Sequence, residues 1–337
     1  MATIETATGA PHAKILGIGA YRPSRVIPNS EVVEAIDSSD EWIQQRSGIK
    51  QRRWAAPDET VQMMSVTAAR EAIERAGIAP AQIDCVVVAT VTHLLQTPAI
   101  ATAISHELGT ENAAAFDISA ACAGFCHGIS LGADMVRGGS AGHVLVIGVE
   151  RLSDLTDLYD RGTAFIFADG AGAAVVGPSD TPAIGPVVWG SDGSQFELIR
   201  QKEDWRDVVG TPAVPGSGVM PHLVMEGNPV FRWASFSMAK IGQQALDRAG
   251  VSTEDLDVFV PHQANMRIID AMARSMKLPE RVKIARDIAD QGNTSAASIP
   301  LALHRMIEEG DARSGDKALL IAFGAGLTYA AQVVTVP

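Results

Sequence analysis

A chain of 337 residues, 47% apolar and 20% charged, can bury one large core or two fused ones. Its three cysteines cannot all pair, and a formal charge of −12 disfavours nucleic acid or an anionic membrane as a general partner. No apolar run reaches the roughly 18 residues that span a bilayer, and MATIETATGAPHAKI lacks the basic, apolar, small-residue order of a secretory signal, so a cytoplasmic protein with reduced thiols is expected.

From the N-terminus, DEWIQQR reads as a helix that places Trp42 and Arg46, four apart, on one face. AIERAGIAPAQIDCVVV, from Ala72, reads as a helix, a glycine C-cap, a short polar loop and a buried strand. DISAACAGF, 117 to 125, looks like a strand-to-helix junction with Cys122 in the first helical turn, where unpaired N–H groups and the dipole favour a thiolate. The small neighbours leave room for a substrate. HVLVIGV is another buried strand, and the glycine-rich ADGAGAAVVG leads into a strand-like run, so it is no dinucleotide fingerprint. VVGPSDTPAIGP breaks the pattern, and residues 186 to 225, irregular and rich in Pro and Gly, read as a loop-bearing insertion.

Beyond it the chain repeats itself. ALDRAGVSTEDLDVFVP, from Ala245, returns the earlier segment at an offset of 173, with Ala72, Arg75, Ala76, Gly77 and Asp84 matching Ala245, Arg248, Ala249, Gly250 and Asp257. GDKALLIAFG echoes GHVLVIG more weakly. Two similar α/β halves are expected, 1–183 carrying Cys122 and 184–337 carrying His262 and Asn293.

His262, in VPHQAN, and Asn293, in QGNTSAAS, fall with Cys122 just beyond strands, the edge where open α/β sheets bind ligands. Alone, each has a plain reading: a buried structural cysteine, a satisfied loop histidine, a turn asparagine. Together a thiol, a His and an Asn form a nucleophilic set. A papain-like protease also runs Cys, His, Asn, but its cysteine signature is missing and a duplicated α/β chain is foreign to that fold. CAGFCH has three residues between its cysteines where a c-type haem site has two, and the histidines show no metal-ligand spacing. Neither metal nor nicotinamide is expected.

With these residues placed, the chain resembles the β-ketoacyl-acyl carrier protein synthase III family, the initiating condensing enzymes of type II fatty acid synthesis, over roughly residues 13 to 337. SSDEWIQQRSGI, AACAGF, YDRGTAFIFADGAGAAVV, VPHQANMRI, GNTSAASIP and FGAGLTYAA occur in the family's order, and THLLQTPAIA resembles actinobacterial members. The resemblance implies a thiolase-type fold, five layers αβαβα in two similar halves, usually as a homodimer. It implies that Cys122 takes an acyl group from acyl-CoA, and that His262 and Asn293 bind the malonyl thioester of acyl carrier protein and stabilise the enolate left when CO2 departs. The backbone N–H groups of Cys122 and Ala325 are implied as the oxyanion hole. Trp42, Arg46 and Arg161 would hold the CoA adenine and phosphates, Asn228 and Asn265 would line the pantetheine route, and Leu95 and Thr97 would lie near the acyl pocket and dimer interface.

Acyl carrier protein is acidic, and residues 263 to 283 carry a local surplus of three positive charges in which Arg267 and Arg274 share a helical face. Arg232 joins them by family position. No cofactor is implied, since acyl-CoA and malonyl-acyl carrier protein are substrates. The alternatives are a related acyltransferase or the starter synthase of a specialised polyketide pathway; a non-catalytic partner subunit would usually lack the nucleophile.

Overall fold

The structure, a computed structural model, describes residues 3–110, 112–211 and 216–337. The first part of the chain runs β1 (His12–Tyr21), β2 (Arg25–Pro28), α1 (Asp40–Ser47), β3 (Gln51–Trp54), α2 (Val61–Ala76), β4 (Cys85–Ala89), α3 (Ile100–Leu108), β5 (Ala114–Ile118), α4 (Gly124–Gly138), β6 (Val144–Arg151) and β7 (Asp169–Ser179). The second runs β8 (Val188–Gly190), β9 (Ile199–Gln201), α5 (Trp205–Val209), β10 (Leu223–Met225), α6 (Gly227–Ala249), β11 (Val258–Pro261), α7 (Met266–Ser275), β12 (Lys283–Ile284), α8 (Ile288–Gln291), α9 (Ser298–Glu308), β13 (Lys317–Phe323) and β14 (Tyr329–Thr335).

Strand order in the first main sheet is β1-β7-β6-β4-β5 and in the second β12-β11-β13-β14-β8. In the first, β4 is parallel to β5 and β6, while β7 is antiparallel to β6 and β1. The second copies this, with β11 parallel to β12 and β13 and β14 antiparallel to β13 and β8. One topology is therefore traced twice. Residues 186 to 225 are not wholly an insertion: β8 pairs with β14 and occupies in the second sheet the edge that β1 occupies in the first.

Alternation along the strands builds the layers. Val87 and Val146 face a central core shared with Val260 and Leu320 of the other sheet, packed around Phe125 and Ile129 of α4 and Ile299 and Leu303 of α9. Their neighbours Val86, Val88 and Leu145 turn outward beneath α2 and α3, and Phe259, Leu319 and Ile321 do the same beneath α6 and α7. The result is the five-layered αβαβα arrangement of the thiolase-type fold. Each fully buried Val, Ile, Leu or Phe adds roughly 1.5–3 kcal/mol to holding it together.

The sequence repeat has a physical basis. Gly77 and Gly250 close α2 and α6 in the left-handed region, at φ +68° and +65°, where a side chain would be strained. Asp84 then accepts the N–H groups of Gly142 and His143, at 2.7 and 3.0 Å, and Asp257 accepts that of Lys317 at 3.0 Å. Both aspartates thus tie the start of one strand to the start of its parallel neighbour.

Candidate active site

The central helices begin with matching turns. Ala121–Ala123 leads into α4 and Ser295–Ala297 into α9, each a single 3-10 turn. Their first residues share a left-handed backbone, φ +44° at Ala121 and +48° at Ser295. Such a conformation costs a non-glycine residue on the order of 1 kcal/mol, and here both packed helix starts hold it. Cys122 therefore sits in the turn ahead of α4 and not, as its sequence suggests, within the first turn of the α-helix.

Gly324 backs against this turn. A Cβ there would lie 2.6 Å from the Cys122 nitrogen and 3.0 Å from the Ala121 Cβ, so only glycine lets the strand end that carries Ala325 approach so closely. Cys122 and Ala325 line a cavity of about 650 Å³ whose walls include Leu95, Phe116, Ile118, Leu152, Leu155 and Phe167. Thr97 is exposed and does not line it.

A second cavity of about 540 Å³ reaches Cys122 from the other side and joins it to His262 and Asn293. His262 follows the end of β11 and is 3% exposed, with Nδ1 2.7 Å from Ser298 Oγ and its ring edge-on to Phe323. Ser298 Oγ accepts the Gln263 N–H at 3.3 Å, which leaves its own hydrogen to donate to Nδ1. That pairing puts the imidazole hydrogen on Nε2. Burial lowers the His262 pKa from 6.5 to about 3, so the ring is neutral.

Asn293 is held from both sides. Its N–H donates to Ile166 O and its carbonyl accepts from Ala168 N, each at 2.9 Å. Its Oδ1 accepts the Ser295 N–H at 2.9 Å, so the side chain's hydrogen-bonding capacity toward the cavity is its Nδ2 amide. The site thus offers two neutral N–H donors beside one thiol. Desolvation pushes that thiol up to about 12, the nearby Glu150 carboxylate adds to the rise, and a hydrogen bond with Ser295 opposes it. The N–H groups of the turn before α4 favour the thiolate, and burial opposes them.

At its outer end the second cavity is basic and aromatic. The Arg161 and Arg46 guanidiniums lie 4.8 and 5.4 Å from the centre of the Trp42 ring, and Phe165 meets it edge-on at 5.3 Å. Ser39 caps α1 by accepting the Trp42 N–H, which fixes the tryptophan's place on the first turn. Asn228 lines the same cavity from the first turn of α6. Asn265 lines it too, capping α7 through the Arg267 N–H and donating to the Arg46 carbonyl at 3.0 Å, so it also joins α7 to α1.

Arg267 and Arg274 are exposed on α7 and Arg232 on α6, with Arg267 stacked 4.9 Å over Phe231. The local positive surplus is narrower than the sequence count: Arg281 pairs with Asp257 and Lys283 with Asp311, acids outside that stretch. Missed by sequence reading were Ser298, Ser295 and Glu150. A lone acid closing the apolar run HVLVIGVE was the available signal for Glu150; the serines in NTSAAS gave none beyond their turn.

Residues 116–193 match the family described as 3-Oxoacyl-[acyl-carrier-protein (ACP)] synthase III, and residues 246–336 match its C-terminal counterpart. A Beta-ketoacyl-[acyl-carrier-protein] synthase III 1 from Streptomyces coelicolor is 61% identical over 343 residues, covering 100% of both chains. Among solved structures, the priming beta-ketosynthase of the R1128 polyketide biosynthetic pathway is similar at a TM-score of 0.95 and 49% identity, covering 100% of this chain and 99% of that one. A 3-oxoacyl-[acyl-carrier-protein] synthase III from Aquifex aeolicus VF5 is similar at 0.88 and 38%, covering 96% and 99%.

Proposed function

The chain belongs to the β-ketoacyl-acyl carrier protein synthase III family, and from that premise we propose which of its residues perform the family's reaction. The enzyme catalyses the initiating decarboxylative condensation of an acyl-CoA primer with malonyl-acyl carrier protein, giving 3-oxoacyl-acyl carrier protein, CO2 and CoA. Cys122 attacks the primer thioester, and CoA leaves as the acyl-cysteine forms. The N–H groups of Cys122 and Ala325 face the oxyanion of that step, a reading supported by the close seat that Gly324 gives the 325 backbone. The apolar walls of the larger cavity, Leu95 among them, receive the acyl chain; Thr97 enters only if a second subunit completes the wall.

The observation that carries this reading is the pair of neutral donors, His262 Nε2 and Asn293 Nδ2, in the cavity that also reaches Cys122. When the malonyl carboxylate leaves as CO2, the electron pair passes to the thioester oxygen. Neutral donors stabilise that enolate without a strong acid that would quench it, and its carbon then attacks the acyl-cysteine. Trp42 stacks the CoA adenine, with Arg46 and Arg161 on the phosphates, while Asn228 and Asn265 flank the pantetheine arm. Arg232, Arg267 and Arg274 receive the acidic carrier protein.

The enzyme works as a cytoplasmic homodimer, each chain dividing into two thiolase-like halves, 1–183 and 184–337, with no cofactor beyond its thioester substrates. No helix among the described residues is long and apolar enough to cross a membrane. The similarity to a priming ketosynthase keeps a second reading, a starter synthase for a specialised polyketide. Incubation with a panel of acyl-CoAs and then malonyl-acyl carrier protein tests the proposal. Release of CO2 with a 3-oxoacyl carrier product supports it, and acylation with no CO2 release rejects it.

A further inference from the structure

Two carboxylates hold the segment that leaves β4, one at each end. Glu150, fully buried near the end of β6, takes its start: Thr90 Oγ1, the Val91 N–H and Thr92 Oγ1 meet Oε2 at 3.3, 3.1 and 2.8 Å. Asp117, on β5, takes its end, where Oδ2 and Oδ1 accept the N–H groups of Ile100 and Ala101 at 2.9 and 3.0 Å. Strands β5 and β6 flank β4, so the segment is slung from both neighbours of the strand it leaves. Among the described residues, the one hydrogen bond of residues 93–98 is internal, from His93 Nε2 to the Pro98 carbonyl at 3.2 Å. Hydrogen bonding therefore fixes that stretch only through its ends.

The same segment is a wall of the larger cavity. Val91, His93, Leu94, Leu95 and Gln96 line it, whereas Glu150 does not. Ser295 lines that cavity too, and its hydroxyl donates to the other carboxylate oxygen, Oε1, at 3.1 Å. One buried side chain outside the cavity thus joins the wall to the turn that leads into α9. Four donors shared between two oxygens make its burial tolerable. A clamp on the end of β4 would explain the three on Oε2, but the fourth reaches a turn in the other half of the chain.

We propose that Glu150 is a positioning residue for primer selection: it sets the 91–96 wall against the Ser295 turn, and so sets which acyl chains the cavity admits. This rests on the reading that the larger cavity receives the primer. An apolar pocket separates substrates that differ by one methylene by roughly 10- to 200-fold, and it does so only while its walls hold their place. A wall that yields admits the misfit as readily as the fit. The role needs the shape of the side chain and its hydrogen bonds, not its charge. A glutamine at 150 keeps one oxygen for the Thr90, Val91 and Thr92 donors, and its amide can donate to Ser295 Oγ, since a hydroxyl accepts as well as donates. An alanine keeps neither link.

Single-turnover acylation by acetyl-, butanoyl-, octanoyl- and dodecanoyl-CoA, read by intact-protein mass spectrometry, tests this. In Glu150→Ala the rate ratio between the best and the poorest primer falls by roughly fivefold or more, and in Glu150→Gln it returns to near the wild-type ratio. A merely structural acid would slow every primer alike and leave the ratio where it was. An unchanged ratio in Glu150→Ala, or a Glu150→Gln as unselective as the alanine variant, overturns the proposal. Should Glu150→Ala not fold, Thr92→Val takes its place: it removes the shortest bond to Oε2 from a side chain outside the cavity, and an unchanged ratio there overturns the proposal equally. Mapping the wild-type adduct separates the two readings. An adduct away from Cys122 removes the acyl-pocket reading and this proposal with it, whereas an adduct on Cys122 with unchanged ratios removes the proposal alone.

Discussion

Ser298 Oγ lies 2.7 Å from His262 Nδ1 and so fixes which nitrogen of the imidazole faces the substrate cavity. The first residue of α9 thereby governs a ring carried at the end of β11. Ser298→Ala frees the ring to place its hydrogen on either nitrogen. A net hydrogen bond of about 1–1.5 kcal/mol corresponds to roughly a five- to tenfold loss, expected in CO2 release from malonyl-acyl carrier protein and not in acylation by acyl-CoA. Separate single-turnover assays of the two half-reactions check this.

The neutral His262 also makes stability depend on pH. Its pKa falls from 6.5 to about 3 on folding, so between those values the unfolded chain binds a proton that the folded chain does not. Its contribution is fully present above about pH 6.5 and is lost as pH falls. From pH 6.5 to 5 this amounts to about 2 kcal/mol. Glu150, raised to about 7, acts in the opposite direction, losing its contribution as pH rises from 4.5 to 7. The difference between wild type and His262→Asn isolates the histidine: urea midpoints should converge as pH is lowered from 6.5 to 5. A gap that widens contradicts the assignment.

Gly324→Ala places a methyl carbon 2.6 Å from the Cys122 nitrogen. The strand end must retreat or the turn must shift, moving the 325 N–H away from the reacting carbonyl. Loss of one oxyanion donor costs roughly 100-fold or more in rate. Acylation should fall by that order while CoA affinity, measured by calorimetry, stays near wild type.

Arg161 stands over Trp42 at the mouth of the second cavity. Arg161→Ala should weaken CoA binding by roughly thirtyfold, since an exposed cation–π contact and a phosphate contact each supply on the order of 1 kcal/mol. Added salt should shrink the difference. Arg267→Glu, by contrast, should raise KM for malonyl-acyl carrier protein and leave acylation by acyl-CoA unaltered.

The layered fold was legible because its signals are local and repeated: the glycine caps at 77 and 250, the aspartates at 84 and 257, and the apolar runs between them. Cys122 and His262 were legible as residue types beyond strand ends, whereas Asn293, expected there too, instead follows the short helix α8 and meets Phe167 in an isolated bridge. The short edge strand Val188–Gly190 was hidden because its three residues acquire their role only by pairing with β14. Ser298 and Glu150 were hidden for a related reason. Their partners lie 36 residues away at His262 and 145 away at Ser295, and neither spacing carries a periodicity. The thiol's acidity could not be read from a helix start, since burial and Glu150 act on it through space.

The central claim is that Cys122 carries the acyl group between the two half-reactions. Intact-protein mass spectrometry after acyl-CoA addition, followed by peptide mapping, should show one acyl adduct on the peptide containing Cys122, none in Cys122→Ser, and its disappearance when malonyl-acyl carrier protein is added. An adduct that persists in Cys122→Ser, or product formed without any acyl-enzyme, would contradict it.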